Sequence, residues 1–227
     1  MFAILTAGIA PALALLTFFY LKDRFEPEPL SMVFRTFLYG ALLVFPIMFI
    51  QHAFETEGYG TNPFIQSFLI VGLLEEFFKW FIFLYTAFKY TEFDTAYDGI
   101  IYAVSISLGF ATVENLLYLF SYGVEFAVGR AIFPVSSHAL FGVIMGYYLG
   151  VAKFSRFHRN TFLFLALLIP AILHGLYDFI LEAIKIGWMY LLVPFMLAMW
   201  MFGMKKVKLA NQLKAEVIPL RQHKEQI

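Results

Sequence analysis

Seven apolar stretches of about twenty residues, separated by short polar links, leave this chain one kind of fold. They cover roughly 1–21, 30–50, 64–88, 97–120, 131–152, 161–182 and 186–203, and each is long enough to cross a bilayer as a helix. The links hold residues that end helices, as in Glu55-Thr56-Glu57-Gly58-Tyr59-Gly60-Thr61-Asn62-Pro63. With 61% hydrophobic and 14% charged residues, nothing is left over for a soluble domain. The expected fold is an all-α, polytopic membrane helix bundle of about seven transmembrane helices. Residues 1–204 form its single membrane domain and 205–227 a basic tail resting against anionic headgroups. The first stretch lacks a basic leader, since its first base is Lys22, and is read as an uncleaved helix.

Charge sets the orientation. All of the sixteen bases except Lys79, Arg130 and Lys185 fall on one side of a seven-span arrangement. They include Lys22, Arg24, Arg35, Lys89, Lys153, Arg156 and Arg159, and the tail residues Lys205, Lys206, Lys208, Lys214, Arg221 and Lys224. Positive loops stay cytoplasmic, which puts the amino terminus outside and the tail inside. The zero net charge argues against a nucleic-acid partner. The absence of cysteine excludes a disulfide framework, a thiolate nucleophile and Cys-ligated metal, so any metal must be held by His and carboxylates.

One span breaks the apolar rule. Gly72-Leu73-Leu74-Glu75-Glu76-Phe77-Phe78-Lys79-Trp80 places two acids and a base near the middle of residues 64–88. An ionised group there costs about 2.5–3.5 kcal/mol on insertion scales, so these three must face protein or water. Counted at 1.5 Å per residue, Glu75 and Glu76 lie roughly 16–18 Å below the outer end of their span, Glu114 roughly 9 Å, His138 roughly 10 Å and His174 roughly 12 Å. Four spans thus bring acids or imidazoles to overlapping depths, which a shared cavity explains and helix packing does not require. Lys79 shares a helix face with both glutamates. Because neighbouring helical residues point about 100° apart, one glutamate is assigned to chemistry and the other to neutralising Lys79 or a partner helix. His174 and Asp178 lie one turn apart, where the carboxylate can fix the imidazole tautomer. Gly142, Gly146 and Gly150 form a stripe for close approach of another helix.

Such a set suits hydrolysis. A desolvated carboxylate takes a proton from water, and an imidazole stabilises the oxyanion or protonates the leaving amine. The candidate catalytic residues are Glu75, Glu76, Glu114, His138 and His174, with Lys79 and Asp178 supporting them. Alternatively, Glu114, His138 and His174 are candidate ligands of a divalent metal such as zinc, with a free glutamate as base. The local His-Glu-x-x-His signature is absent, as are the Gly-x-Ser-Gly and Gly-x-Gly-Asp motifs of other intramembrane proteases. From a different class, a proton-coupled transporter or channel would use the same residues as a relay.

In chain order, Glu75-Glu76-x-x-Lys79, Phe110-x-x-x-Glu114, His138 and His174-x-x-x-Asp178 resemble the four stations of the CAAX-prenyl-protease (type II CAAX/ABI) superfamily. That pattern is Glu-Glu-x-x-x-Arg, Phe-x-x-x-His, a lone His, and His-x-x-x-Asn or Asp. The two departures, Lys79 one position early and Glu114 in place of His, are similar to the PrsW branch, as is Ser-Leu-Gly-Phe-Ala-Thr around Leu108. The resemblance implies a multi-pass protease of the bacterial plasma membrane. Its implied substrate is a single-span anti-sigma factor, that of sigma-W, which receives its first, site-1 cut on the extracytoplasmic side. A second intramembrane protease then completes release of the sigma factor under envelope stress. The expected surroundings are the lipid bilayer, and no nucleic acid is expected as a partner.

Overall fold

The computed structural model describes residues 1–23 and 27–224, with side chains through 213. Arg24 and the side chains of Lys214, Arg221 and Lys224, counted above among the bases, lie outside the described residues. Among the described residues the structure is all-helical: α1 (Phe2–Leu21), α2 (Leu30–Thr56), α3 (Leu74–Tyr85), α4 (Ala96–Tyr122), a short α5 (Ala127–Arg130), α6 (Ser136–Phe154), α7 (Arg159–Ala183) and α8 (Met189–Lys224). Two π-helical stretches, Ile65–Leu73 and Ala131–Val135, lead directly into α3 and α6.

The bundle is built around α4, every residue of which is buried from Ala96 through Thr112. Apart from Tyr97, Asp98 and Tyr102 its sequence there is apolar or small on every side, so neighbours can pack all round it. A capping box starts it: Asp98 Oδ2 accepts from the Thr95 backbone N–H at 2.6 Å, and Thr95 Oγ1 accepts from that of Asp98 at 3.4 Å. Helices α1, α2 and α6 pack against it. The glycine stripe of α6 meets it at backbone distance, since a Cβ on Gly146 would stand 2.3 Å from Gly99 O and one on Gly150 2.2 Å from Ala96 O. Close approach of this kind lets van der Waals contact hold helices together where lipid removes the hydrophobic drive.

Among the described residues, six helical runs are long and apolar enough to cross a membrane: α1, α2, α4, Val124–Phe154, α7 and Met189–Leu213 of α8. The stretch expected as one span over 64–88 is instead composite, π-helical to Leu73 and α-helical to Tyr85. In the stretch 131–152, Pro134 lies in the wide π turn, where its missing N–H and ring do not obstruct a regular α ladder. The boundary at 204 falls inside α8, which runs on unbroken. Val207 and Ala210 are buried in the same core as Ala12, Phe19 and Tyr97, and Lys206 Nζ donates to Tyr148 Oη at 3.0 Å.

Candidate active site

Four helices supply the polar cluster: α3 gives Glu75, Glu76 and Lys79, α4 gives Glu114, α6 gives His138, and α7 gives His174 and Asp178. Glu75, Glu76, Lys79, His138 and His174 are all buried. The π stretch is brought onto α7 by two glycines, for a Cβ on Gly72 would lie 2.7 Å from Gly175 N. This contact, three residues before Glu75 and one after His174, sets the acids of α3 beside the imidazole of α7.

Lys79 occupies the centre, 0% exposed. Its ammonium lies 2.8 Å from Glu76 Oε1, 3.4 Å from Glu75 Oε2 and 3.2 Å from His138 Nδ1, and 4.3 Å over the Phe110 ring. An ammonium has three donors and no acceptor, so all three are used and His138 Nδ1 must accept. The ring proton is then on Nε2, which donates to Glu114 Oε2 at 2.9 Å. Glu114 Oε1 accepts from Arg130 Nη2 at 3.2 Å, while Arg130 Nε donates to Asn115 Oδ1 at 2.8 Å.

The His174 ring is held from the other side. Its Nδ1 lies 3.0 Å from Glu76 Oε1, which makes it the donor. Its Nε2 then faces two carboxylates, with Asp178 Oδ2 at 3.3 Å and Glu75 Oε2 at 3.9 Å. Phe141 stacks on the ring with centroids 4.8 Å apart. The Asp178 contact lies outside hydrogen-bond geometry, and Oδ2 has no hydrogen-bond partner. A lone pair facing two carboxylate oxygens calls for a cation between them, either a proton on Nε2 or a metal ion.

The donor chemistry fits such an ion. Glu75, His138 and His174 each offer a ligand atom, all within 4.8 Å of one another, a His2Glu set of the type zinc takes. The sequence expectation names Glu114, His138 and His174; in the structure Arg130 and His138 Nε2 hold the Glu114 carboxylate, and it is Glu75 whose oxygen lies grouped with atoms of both imidazoles. The expected division between Glu75 and Glu76 also changes. Both reach Lys79 and both approach His174, because long side chains converging on Lys79, three and four residues on, span the 100° between them. The i,i+4 pair of His174 and Asp178 is present, yet Glu76 holds the ring more closely. Two partners were not foreseen. Gln51 Nε2 donates to Glu75 Oε1 at 3.1 Å, and Arg130 pairs with Glu114. The only sequence signals for them were an amide near the end of a long apolar run and a lone base on the sparsely basic side.

Comparison with known proteins bears on this arrangement. Residues 28–202 match the model of the family described as PrsW family intramembrane metalloprotease. Proteins named Protease PrsW from Halalkalibacterium halodurans and Bacillus subtilis are 56% and 54% identical to it over 213 and 214 residues. In each case 94% of this chain is covered, with 99% and 98% of the relative. The namesake from Clostridioides difficile is 36% identical over 198 residues, covering 82% of each chain. No solved structure matches.

Proposed function

We propose, since the chain belongs to the PrsW family of intramembrane metalloproteases and is a bacterial multi-pass membrane endopeptidase, that it makes the site-1 cut in a single-span anti-sigma factor. The cut falls near the extracytoplasmic side and leads to sigma-factor release in envelope stress. The observation that carries the catalytic part is the convergence of Glu75, His138 and His174, from three helices, within 4.8 Å.

In this reading Glu75, His138 and His174 hold a divalent ion such as zinc. When bound, the ion polarises the scissile carbonyl and lowers the pKa of water. Glu76, wholly buried, orients His174 through Nδ1–H, and Glu114 orients His138 through Nε2–H, the outer carboxylates that metal-binding imidazoles use. The proton of the attacking water needs an acceptor. Glu75 is engaged by Gln51 and Lys79, Glu76 is closed off from solvent, and both oxygens of Glu114 are taken by Arg130 and His138. The Asp178 carboxylate is one quarter exposed and lies beside His174 Nε2, and we assign it the proton. The relay reading fares worse. Some 24 Å of α4 separates Asp98 from Glu114, and of the polar side chains between them Tyr102 bonds Glu28, Ser105 the Val33 carbonyl and Thr112 the Leu108 carbonyl, not one another.

The test is purified chain in lipid nanodiscs with a single-span anti-sigma factor, the products located by mass spectrometry. Cleavage outside the substrate's membrane span, lost in Glu75→Gln, His138→Ala and His174→Ala and in strong chelator, is expected. Undiminished cleavage in chelator overturns the metal assignment, and undiminished cleavage by all three variants overturns the site.

A further inference from the structure

Beyond the Gly72–Gly175 contact, the π stretch and α7 border a partly open cavity of about 230 Å³ lined by Gln66, Ser67, Val71, Asp178, Leu181 and Glu182. Its polar groups are unusual. Ser67 is 1% exposed and its Oγ has no hydrogen-bond partner; Gln66 Oε1 and Asp178 Oδ2, buried atoms of half-buried side chains, have none either. Three buried, unpaired polar atoms along one small cavity are costly unless something supplies their hydrogen bonds. The Gln66 amide nitrogen is already spent on Glu55 Oε1 at 3.0 Å, so what remains is two acceptors and one hydroxyl. A ligand with two donors and an acceptor, of small size, answers that set. Water does so, and at roughly 30 Å³ each several molecules fit.

Position adds to chemistry. The cavity begins at Gln66 and Glu182, near the start of the π stretch and the end of α7, and reaches Asp178, whose Oδ2 is 3.3 Å from His174 Nε2. A π-helical wall is a frequent mark of functional positions, and this one sets Ser67 and Val71 toward α7. From these observations we infer that the cavity between Ser67 and Asp178 is a hydrated passage that delivers the hydrolytic water to the cluster, with Ser67 as a positioning residue along it. The hydration itself is independent of the catalytic reading. The delivery of water for hydrolysis rests on it.

The chain has no cysteine, so single cysteines can be placed without background. Ser67→Cys, Thr61→Cys in the exposed link and Leu69→Cys on the outer apolar face are treated in nanodiscs with a charged, water-soluble methanethiosulfonate. Reaction needs a hydrated thiolate, so position 67 should react within about tenfold of position 61, and position 69 at least about a hundredfold more slowly. Labelling at 67 should then lower kcat with KM unchanged, and TCEP should restore it. Failure of position 67 to react, or reaction no faster than at 69, overturns the passage. Labelling that leaves kcat intact overturns water delivery, and labelling that raises KM assigns the cavity to the substrate chain and overturns it as well. If the unmodified chain cuts no substrate, the protease reading fails, while the labelling rates still decide whether the cavity holds water.

Discussion

Lys79 and His138 share a buried hydrogen bond: the ammonium stands 3.2 Å from Nδ1, on the imidazole edge that looks into the cluster. The same ammonium neutralises Glu75 and Glu76. A divalent ion held by Glu75 and His138 Nδ1 would compete with it for the same atoms.

Lys79→Met should therefore bind zinc more tightly than the parent in calorimetry. Without metal it leaves two buried carboxylates short of their cation, a loss of about 3–5 kcal/mol for broken buried pairs. Its melting temperature should fall in chelator and recover on adding zinc. A variant equally stable with and without zinc would show that Lys79 does not substitute for metal.

Glu76→Gln and Glu114→Gln remove the carboxylates that hold the two imidazoles without touching the ligand atoms. Each should weaken zinc binding by about 10–100-fold, the usual cost of losing such a partner. Elemental analysis and competition with a chromophoric chelator would measure it. Retention of parental affinity in both would mean that the imidazole orientation does not depend on these bonds.

Outside the membrane-spanning helices, Glu28 is buried and accepts a hydrogen bond from Tyr102 Oη. Burial pushes its carboxyl up to about 8. A raised folded-state value favours the folded protein below the ordinary carboxylate range, and that contribution is lost as pH climbs through about 8. Melting temperature in detergent should decline between pH 6 and pH 9 and decline less in Glu28→Gln, which keeps an acceptor for Tyr102. Parallel curves for the two proteins would contradict this.

Gly150→Ala places a methyl group 2.2 Å from the Ala96 carbonyl oxygen, where only backbone movement can make room. Thermal unfolding should show a loss of about 1–3 kcal/mol or more. Gly129→Ala, which meets nothing within 4 Å, serves as the matched control and should not change stability appreciably.

Much of this was legible in the chain itself, because membrane insertion imposes apolar length and makes every buried charge conspicuous. Glu75, Glu76, Glu114, His138 and His174 stand out at overlapping depths, and the structure brings them together. The α6 glycine stripe likewise finds its partner in Gly99 and Ala96 of α4. What depth cannot give is rotation about each helix axis. Whether Glu75 or Glu114 stands with the histidines depends on the phase of α3 and α6, and both are entered through π-helical turns that no regular count of 3.6 residues reproduces. Arg130, the last residue of the short α5, reaches Glu114 while lying over the Tyr118 ring of α4, a matter of link geometry.

The π-helical entry to α3 also says which kinds of sequence change the protein can absorb. Swapping one apolar residue for another at the exposed positions Leu69 and Leu73 alters the outer surface and leaves the winding alone. Deleting a single codon there would instead advance everything downstream by about 100° and 1.5 Å, turning Glu75 and Glu76 away from α7. Natural variation in this segment should accordingly run to replacements and avoid gaps.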